Sequence, residues 1–231
     1  MEKNKYLYLI WKDPQTRRNF VIGKLCHDQK YTFEYYGDYR LAETYGWSKF
    51  EVFPLEKMYD SETLFPVFAS RLPDKRRRDI KKILKKYDLT QFDDFELLRK
   101  SGARLPIDSY SFIDPINPDE EYIEQDFFIM GVRHYVACDG KDCTFSPHVT
   151  VNDELKFERE LDNKYDSNAI CIKTMTDEML GYVPRYYSLE IVTRLERGMS
   201  YSCKIIEINH CYDCSECIKV RLLMPPKCEN L

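Results

Sequence analysis

The beginning of the chain consists of short hydrophobic segments separated by polar turns. Three segments rich in aromatic and β-branched residues are separated by polar turns, which is typical of antiparallel strands. They are YLYLIWK (6–12), NFVIGKLC (19–26) and KYTFEYY (30–36). We therefore expect a small β-sheet in this part of the molecule.

Apolar residues then recur every three or four positions, a spacing typical of one buried helix face. The pattern predicts three helices with polar residues at their starts. They are DSETLFPVFASRL (60–72), with Asp60 or Ser61 as its cap, DKRRRDIKKILKKYDL (74–89) and DDFELLRKSG (93–102). Gly102 is expected to end the third helix, because glycine readily adopts the left-handed conformation found there.

Strand spacing returns after residues 106–126, a stretch with three prolines and a run of acids. Many short strands with one helix, SLEIVTRLERG (188–198), favour a small barrel. We predict an α+β protein with domains at 1–115 and 126–231, joined by an acidic linker at 116–125. The predicted strands of the second domain are FFIMGVRHYVA (127–137), ELKFERE (154–160), NAICIKT (168–174), MLGYV (179–183), YSCKIIEIN (201–209) and CIKVRLLM (217–224).

Composition narrows the class of protein. The chain has 231 residues, of which 43% are hydrophobic, so cores of useful size are expected. A formal net charge of −4 excludes a uniformly basic surface but allows a local basic patch. There is no signal-peptide pattern and no apolar run long enough for a membrane span, so we expect a soluble, cytoplasmic protein without a membrane partner. Nine cysteines are then expected to be thiols or metal ligands.

The turn RELDNKYDSNAICI places a tyrosine among polar turn-forming residues, directly before an apolar strand. Together with DFFIMGVRHY and LGYVPRYYS, it resembles the HIRAN domain over about 126–224. The resemblance implies an OB-like β-barrel that binds single-stranded DNA at its free 3′ end. The binding positions that it implies are Arg133, His134, Tyr135, Asn163, Tyr165, Asp166 and Arg185. His134 departs from the pattern, since the helicase-type members have a tyrosine at this position.

The chemistry of these residues agrees with such a role. Aromatic faces stack on bases, and arginines bind phosphate. A carboxylate accepts a hydrogen bond from a terminal sugar hydroxyl, which makes Asp166 a candidate sensor of the chain end and Tyr165 a candidate stacking platform. The alternative is structural: Asp166 and Asn168 fix a turn, Tyr165 covers the end of the barrel, and Arg185 is simply solvated.

The cysteines offer a second candidate site. NHCYDCSECIKV has C-x-x-C-x-x-C spacing, and the segment after Tyr135 contributes two more thiols. If the two loops meet, a zinc ion has four tetrahedral ligands. The candidate ligands are Cys138, Cys143, Cys211 and Cys214. An iron–sulfur cluster lacks its fourth ligand and following proline here, and the remaining alternative is free thiols in a reducing cell.

The first domain resembles the N-terminal subdomain 1 of HipA-type kinases over about 18–105, including FPLEKMYDSETLFPVFASRLPDKRR. The resemblance implies a partner, a HipA-like kinase encoded elsewhere, and an antitoxin-like role. No P-loop, catalytic loop or hydrolase constellation occurs in the sequence, so we expect no enzymatic activity. The run 71–88 holds nine basic residues and three acids. The run either binds the phosphate backbone of a nucleic acid or is the solvated face of a helix.

Three functions follow in order of support. The first is recognition of single-stranded DNA ends through the HIRAN-like domain. The second is an antitoxin-like regulatory subunit that binds a HipA-type kinase, with little DNA role of its own. The third, a zinc-dependent hydrolase, has the weakest support, because no paired carboxylates or nucleophile with a neighbouring base are found.

Overall fold

The computed structural model describes residues 5–135, 148–209 and 216–226. The chain divides into two compact units, Met1–Pro115 and Ile116–Leu231. Each unit has its own antiparallel sheet, so the fold is mixed α+β. This confirms the fold class predicted from the sequence. Within the described ranges, no helix is long and apolar enough to cross a membrane.

The first unit is built on a five-stranded sheet with the order β4-β3-β2-β1-β5. The three strands predicted from the sequence are all present, and β4 and β5 complete the sheet at its two edges. The strands are β1 (Tyr6–Lys12), β2 (Asn19–His27), β3 (Tyr31–Tyr35), β4 (Tyr59–Ser61) and β5 (Tyr110–Ile113). The helices are α1 (Tyr39–Thr44), α2 (Pro66–Ala69), α3 (Ile80–Lys86) and α4 (Asp94–Ser101).

The predicted helix at 60–72 is mostly absent, and only its centre forms α2. Pro66 occupies the first helical position, and proline disfavours helical geometry in the residue before it. Phe65 is accordingly extended, with φ −54° and ψ 134°. Asp60 and Ser61, the expected caps, belong instead to β4. The third predicted helix forms as α4, and Gly102 ends it in the left-handed conformation with φ 66°.

Aromatic side chains fill the core of the first unit. Phe33 is fully buried, and its ring centroid lies 4.7 Å from that of Phe53 and 5.1 Å from that of Phe68. The Tyr35 hydroxyl donates to the carbonyl of Phe53 (2.7 Å), so even the polar atom of this buried ring has a partner. Offset and edge-to-face ring pairs of this kind add to the stabilisation from area burial.

The second unit is a six-stranded antiparallel sheet with the order β6-β11-β10-β7-β8-β9, curled into a half-barrel. One main helix, α5 (Arg185–Glu196), follows β9. Its buried residues include Ile191 and Val192. The strands are β6 (Ile123–Phe128), β7 (Glu154–Arg159), β8 (Ile170–Thr174), β9 (Met179–Tyr182), β10 (Ser202–Ile208) and β11 (Ile218–Met224).

A single bridge joins the two edges of this sheet. Met130, just after β6, pairs antiparallel with Tyr182 of β9, and each backbone N–H donates to the other's carbonyl at 2.9 Å. Gly181 permits this approach. A Cβ there would overlap the Met130 carbonyl oxygen and lie 2.7 Å from Ile129 Cγ2, and its φ of +147° already favours glycine. The absence of a side chain at residue 181 therefore allows the two edges to approach this closely.

The first strand of this unit differs from the prediction of 127–137. It begins earlier, at Ile123, and ends at Phe128. Gly131 is left-handed (φ 76°) and starts a 3₁₀ turn at Val132–His134, which ends the extended conformation.

Several residues of the predicted linker at 116–125 contact the second unit. Ile123 is buried and begins β6, and Ile116 is buried as well. Arg194 of α5 donates to the carbonyls of Asn117 (2.8 Å) and Pro118 (3.3 Å). These bonds attach the segment to the second unit.

Candidate nucleic-acid interface

The turn between β7 and β8 is held by the side chain of Asn163. Its carbonyl oxygen accepts the backbone N–H groups of Tyr165 (2.9 Å) and Asp166 (3.0 Å). Asp166 continues the pattern, since its Oδ1 accepts the N–H of Asn168 (2.9 Å). Asparagine and aspartate stabilise turns in this way by capturing backbone groups a few residues ahead. The backbone on both sides of Tyr165 is therefore fixed by local hydrogen bonds.

The Tyr165 ring does not fold back onto the barrel. Its side chain is 77% exposed, the highest value of any tyrosine among the exposed residues of the described part of the chain. Burial of this ring would have contradicted the sequence-based hypothesis. An exposed aromatic face on a fixed turn is instead available for stacking.

Two residues that the sequence analysis did not select connect this turn with Tyr135. The Asn163 amide donates to Glu160 Oε2 (2.7 Å), and Glu160 is close enough to the Tyr182 hydroxyl to raise its pKa. The Tyr182 hydroxyl in turn lies 3.1 Å from that of Tyr135. Tyr135, Tyr182, Glu160 and Asn163 thus form a row of polar side chains, with hydrogen bonds in its first and last pairs, which we call the polar chain.

The polar chain explains the protonation state of its central phenol. Burial and the neighbouring Tyr135 and Glu160 side chains raise the pKa of Tyr182 well above its ordinary value. The phenol therefore stays protonated and keeps a hydrogen to donate within the chain. The neighbouring Cys171 thiol lies 4.0 Å from Glu160, and burial followed by that carboxylate raises its pKa. Cys171 is therefore a protonated, unreactive thiol at neutral pH.

The remaining predicted residues lie around this arrangement. Arg133 and His134 are on the 3₁₀ turn, where Arg133 Nε lies 3.3 Å from His134 Nε2. His134 and Tyr135 are exposed, and the Tyr135 ring packs edge-on against Tyr182 with centroids 6.0 Å apart. Arg185 is exposed and begins α5, three residues after Tyr182.

The structure thus connects some predicted residues directly and leaves others as neighbours along the chain. Asn163, Tyr165 and Asp166 share hydrogen bonds of the turn, and Tyr135 is linked to them through the polar chain. Arg133, His134 and Arg185 flank it on the 3₁₀ turn and at the start of α5.

A sequence signal existed for the two residues that were missed. Glu160 and Tyr182 lie inside the segments FERELDN and LGYVPR, but their proximity depends on strand pairing. Cys171 pairs with both Tyr182 and Glu158, which places Tyr182 close to the end of β7.

The predicted zinc ligands Cys138, Cys143, Cys211 and Cys214 lie outside the described residues. In the ranges that the structure does describe, no group of three or more His, Cys, Asp or Glu side chains is placed to hold a metal. Cys217, the last cysteine of the C-x-x-C-x-x-C segment, is buried beside β11. The zinc site stays a prediction.

Comparison with known proteins assigns the two units. Residues 122–221 match the HIRAN domain family, and residues 18–106 match the HipA N-terminal domain family. The chain therefore carries a HIRAN domain preceded by a HipA N-terminal domain, as the resemblances in the sequence predicted. A HIRAN domain indicates DNA binding, and a HipA N-terminal domain indicates a HipA-type interaction.

Two solved structures are similar to the chain. The HIRAN domain of human HLTF is 12% identical, with 45% of this chain and 74% of that chain covered and a TM-score of 0.34. A protein from Lactobacillus plantarum is 20% identical, with 45% and 94% covered and a TM-score of 0.36. A search of the curated proteins found no match.

Proposed function

We propose that the protein binds single-stranded DNA through its HIRAN domain and recognises the free 3′ hydroxyl of the strand. The supporting observation is the exposed Tyr165 ring, held on a turn whose backbone is fixed by Asn163. Base stacking on such a ring is worth about 1–3 kcal/mol and tolerates any sequence. The exposure of the ring and the fixed backbone of its turn support this role.

Asp166 is the proposed sensor of the strand end. One of its carboxylate oxygens accepts the N–H of Asn168. Within the described residues, the other oxygen makes no hydrogen bond and is left to accept one from a sugar hydroxyl. A phosphate at the same place would be repelled by the carboxylate, because like charges at short range disfavour each other. The turn would thus distinguish a free 3′ hydroxyl from a blocked end.

The polar chain has a supporting role in this proposal. Through Tyr182 and Glu160 it links the Asn163 turn to Tyr135, the second exposed aromatic residue of the site. Preorganised groups bind with a smaller loss of conformational entropy than flexible ones. Arg133 and Arg185 are the cationic residues proposed to contact the phosphates.

Matched oligonucleotides test the end recognition. A labelled single strand with a 3′ hydroxyl should bind the full chain more tightly than the same strand with a 3′ phosphate. Asp166→Asn is the matched variant, since its amide oxygen still accepts the Asn168 N–H but carries no charge. We expect this variant to lose most of the preference. Equal binding of both strands by the unaltered protein would remove Asp166 from the proposed role.

A second candidate function is supported by the HipA N-terminal domain at residues 18–106. In this proposal the protein is an antitoxin-like subunit, and its first unit binds a HipA-type kinase encoded elsewhere. Co-expression of the full chain with such a kinase provides the test. A complex that stays intact through size-exclusion chromatography, with altered kinase activity, supports this function. Separate elution at micromolar concentrations contradicts it.

A further inference from the structure

The first unit carries a dense group of cations in and before α3. The segment 75–86 reads KRRRDIKKILKK, with eight basic residues and one acid. All eight basic side chains belong to exposed residues. The whole chain has a net charge of −4, so this segment is strongly positive in an acidic protein. A positive patch of this density attracts polyanions even when the whole molecule is acidic.

Intramolecular ion pairs account for the first part of the segment. Arg76 pairs with Asp74 through two bonds (3.1 and 2.9 Å), and Arg77 pairs with Asp79 in the same way (both 2.9 Å). Lys75 lies 3.3 Å from Asp94. These three charges are partly compensated within the unit. They are also exposed, so each pair contributes little to stability.

The later cations have no such compensation. Among the described residues, no ion pair with a carboxylate is found for the five cations of 78–86. They are Arg78, Lys81, Lys82, Lys85 and Lys86. The basic run therefore contains two different parts, one paired with nearby acids and one without a carboxylate partner among the described residues. Lys86 of the second part lies 5.4 Å from the centroid of the Tyr87 ring.

The helix sorts these lysines onto one side. At 3.6 residues per turn, Ile80, Ile83 and Leu84 share a face, and Leu84 is buried. The four lysines occupy the opposite side, which we call the lysine face (Lys81, Lys82, Lys85 and Lys86). Residues three or four apart on a helix are separated by about 5–6 Å between their Cβ atoms. The lysine face is thus a compact cluster of ammonium groups on an anchored helix.

We propose that the lysine face binds the phosphate backbone of duplex DNA. Double-stranded DNA presents about one negative charge per 1.7 Å of its axis, so several lysines find phosphates at once. Ammonium groups contact phosphate as point charges and read no base, so this binding is independent of sequence. The site lies in the first unit and goes beyond the recognition of strand ends proposed for the HIRAN domain.

Other anionic partners fit the lysine face less well. An amphipathic membrane helix needs apolar residues on the side that enters the lipid, and the apolar residues of α3 are on the opposite face. A peptide rich in carboxylates is bound best by arginine, whose planar fork matches a carboxylate. The face consists of lysines, and the nearby Arg76 and Arg77 already hold aspartates.

The experiment uses the full chain and a duplex without strand ends. The probe is a short duplex whose strands are joined at both ends by non-nucleotide linkers, so it offers neither a 3′ end nor an unpaired base. The test variant replaces Lys81, Lys82 and Lys85 with glutamine. Its matched control replaces, also with glutamine, three exposed lysines that already form ion pairs with carboxylates. They are Lys5 (Asp28, 3.0 Å), Lys30 (Glu62, 2.9 Å) and Lys204 (Glu154, 3.2 Å).

Both variants have the same net charge, so a general charge effect cancels between them. Each lost phosphate contact lowers the slope of log affinity against log salt by about 0.9. We expect the test variant to lose about 2–3 from this slope and at least tenfold in affinity, and the control to lose less than 1 from the slope. Unchanged midpoints of thermal unfolding establish that the variants are folded.

Three results would overturn the proposal. The first is that the unaltered chain does not bind the closed duplex. The second is that both variants show the same salt slope. The third is that the test variant still binds the duplex and loses binding only to anionic vesicles or to an acidic peptide. Tyr165→Ala should bind the closed duplex like the unaltered protein, because its ring serves strand ends. The proposal on strand ends and the proposal on the duplex backbone can therefore be refuted independently of each other.

Discussion

The two units use their aromatic residues in opposite ways. In the first, Phe33, Phe53 and Phe68 are buried and pack ring against ring. In the second, the core is mainly aliphatic, with Ile129, Ile170 and Ile172 fully buried, while Tyr165 is 77% exposed. Aromatic content alone therefore does not locate a binding site. What matters is whether a turn holds the ring outward.

Charge follows a complementary pattern. In the second unit, Arg221 pairs with Asp126 (2.7 Å) and Lys173 with Glu158 (2.6 Å). In the first unit, the lysine face makes no such pairs within the described residues. The most exposed aromatic ring of the described chain thus lies in the second unit, and the lysine face lies in the first.

The largest effect is expected in the aromatic core. Phe33→Ala should destabilise the first unit by about 3–5 kcal/mol, because it removes a fully buried ring and leaves a cavity. Tyr165→Ala should change stability by less than about 0.5 kcal/mol, as for other exposed sites. Denaturant unfolding measures both. Similar losses in the two variants would contradict the contrast between the units.

The next effect concerns closure of the half-barrel. Gly181→Ala forces a Cβ against Met130 and Ile129, and we expect a loss of about 2–4 kcal/mol. Gly46→Ala is the control, since Gly46 also has a positive φ (+93°) but nothing within 4 Å of its Cβ position. It should lose only about 1–2 kcal/mol. A Gly181 variant as stable as the Gly46 variant would show that the edge bridge does not require this glycine.

A smaller effect is expected at the turn itself. Asn163→Ala removes the acceptor for two backbone N–H groups and the donor to Glu160, and should cost about 1–3 kcal/mol in stability. Binding to single strands should fall as well, although Tyr165 is still present. Asn163→Ser keeps a short side-chain oxygen that can accept turn N–H groups without adding charge, and should bind more tightly than the alanine variant, as fluorescence anisotropy would show. The reverse order would argue against turn positioning.

The smallest effect is a dependence on alkaline pH. The pKa of Tyr182 is raised in the folded state, so above the ordinary tyrosine pKa of about 10 the unfolded chain loses this proton first. The stability is thus complete below that pH and declines as pH rises beyond it. Tyr182→Phe should show a shallower decline in urea unfolding between pH about 9 and about 11. An identical decline would exclude Tyr182 as a contributor.

Local sequence patterns predicted much of the fold. The strands β1 to β3 and helix α4 follow directly from residue type, spacing and a terminal glycine. The failures have physical causes: Pro66 shortens α2, and Gly131 turns the chain out of the strand. The strand β5 was hidden in a segment flanked by prolines, and only pairing with β1 makes it extended.

The candidate site was predictable only in part. The polar turn around Tyr165 is a local feature, and its sequence indicated a displayed ring. The contact between Tyr182 and Glu160 depends on the register of β7, β8 and β9, which no local pattern contains. Which basic residues in 71–88 form ion pairs could not be predicted from the sequence either, because each pair depends on which acid lies nearby in the fold.

The central claim is that the Tyr165 ring binds nucleotides. The most direct measurement is the affinity of Tyr165→Ala for a single strand with a free 3′ hydroxyl. Leu161→Ala serves as control, since Leu161 is 74% exposed and lies in the same connection between β7 and β8. We predict that Tyr165→Ala loses about 1–3 kcal/mol of binding, with Tyr165→Phe and Leu161→Ala unchanged. Equal affinity of Tyr165→Ala and the unaltered protein would contradict the account.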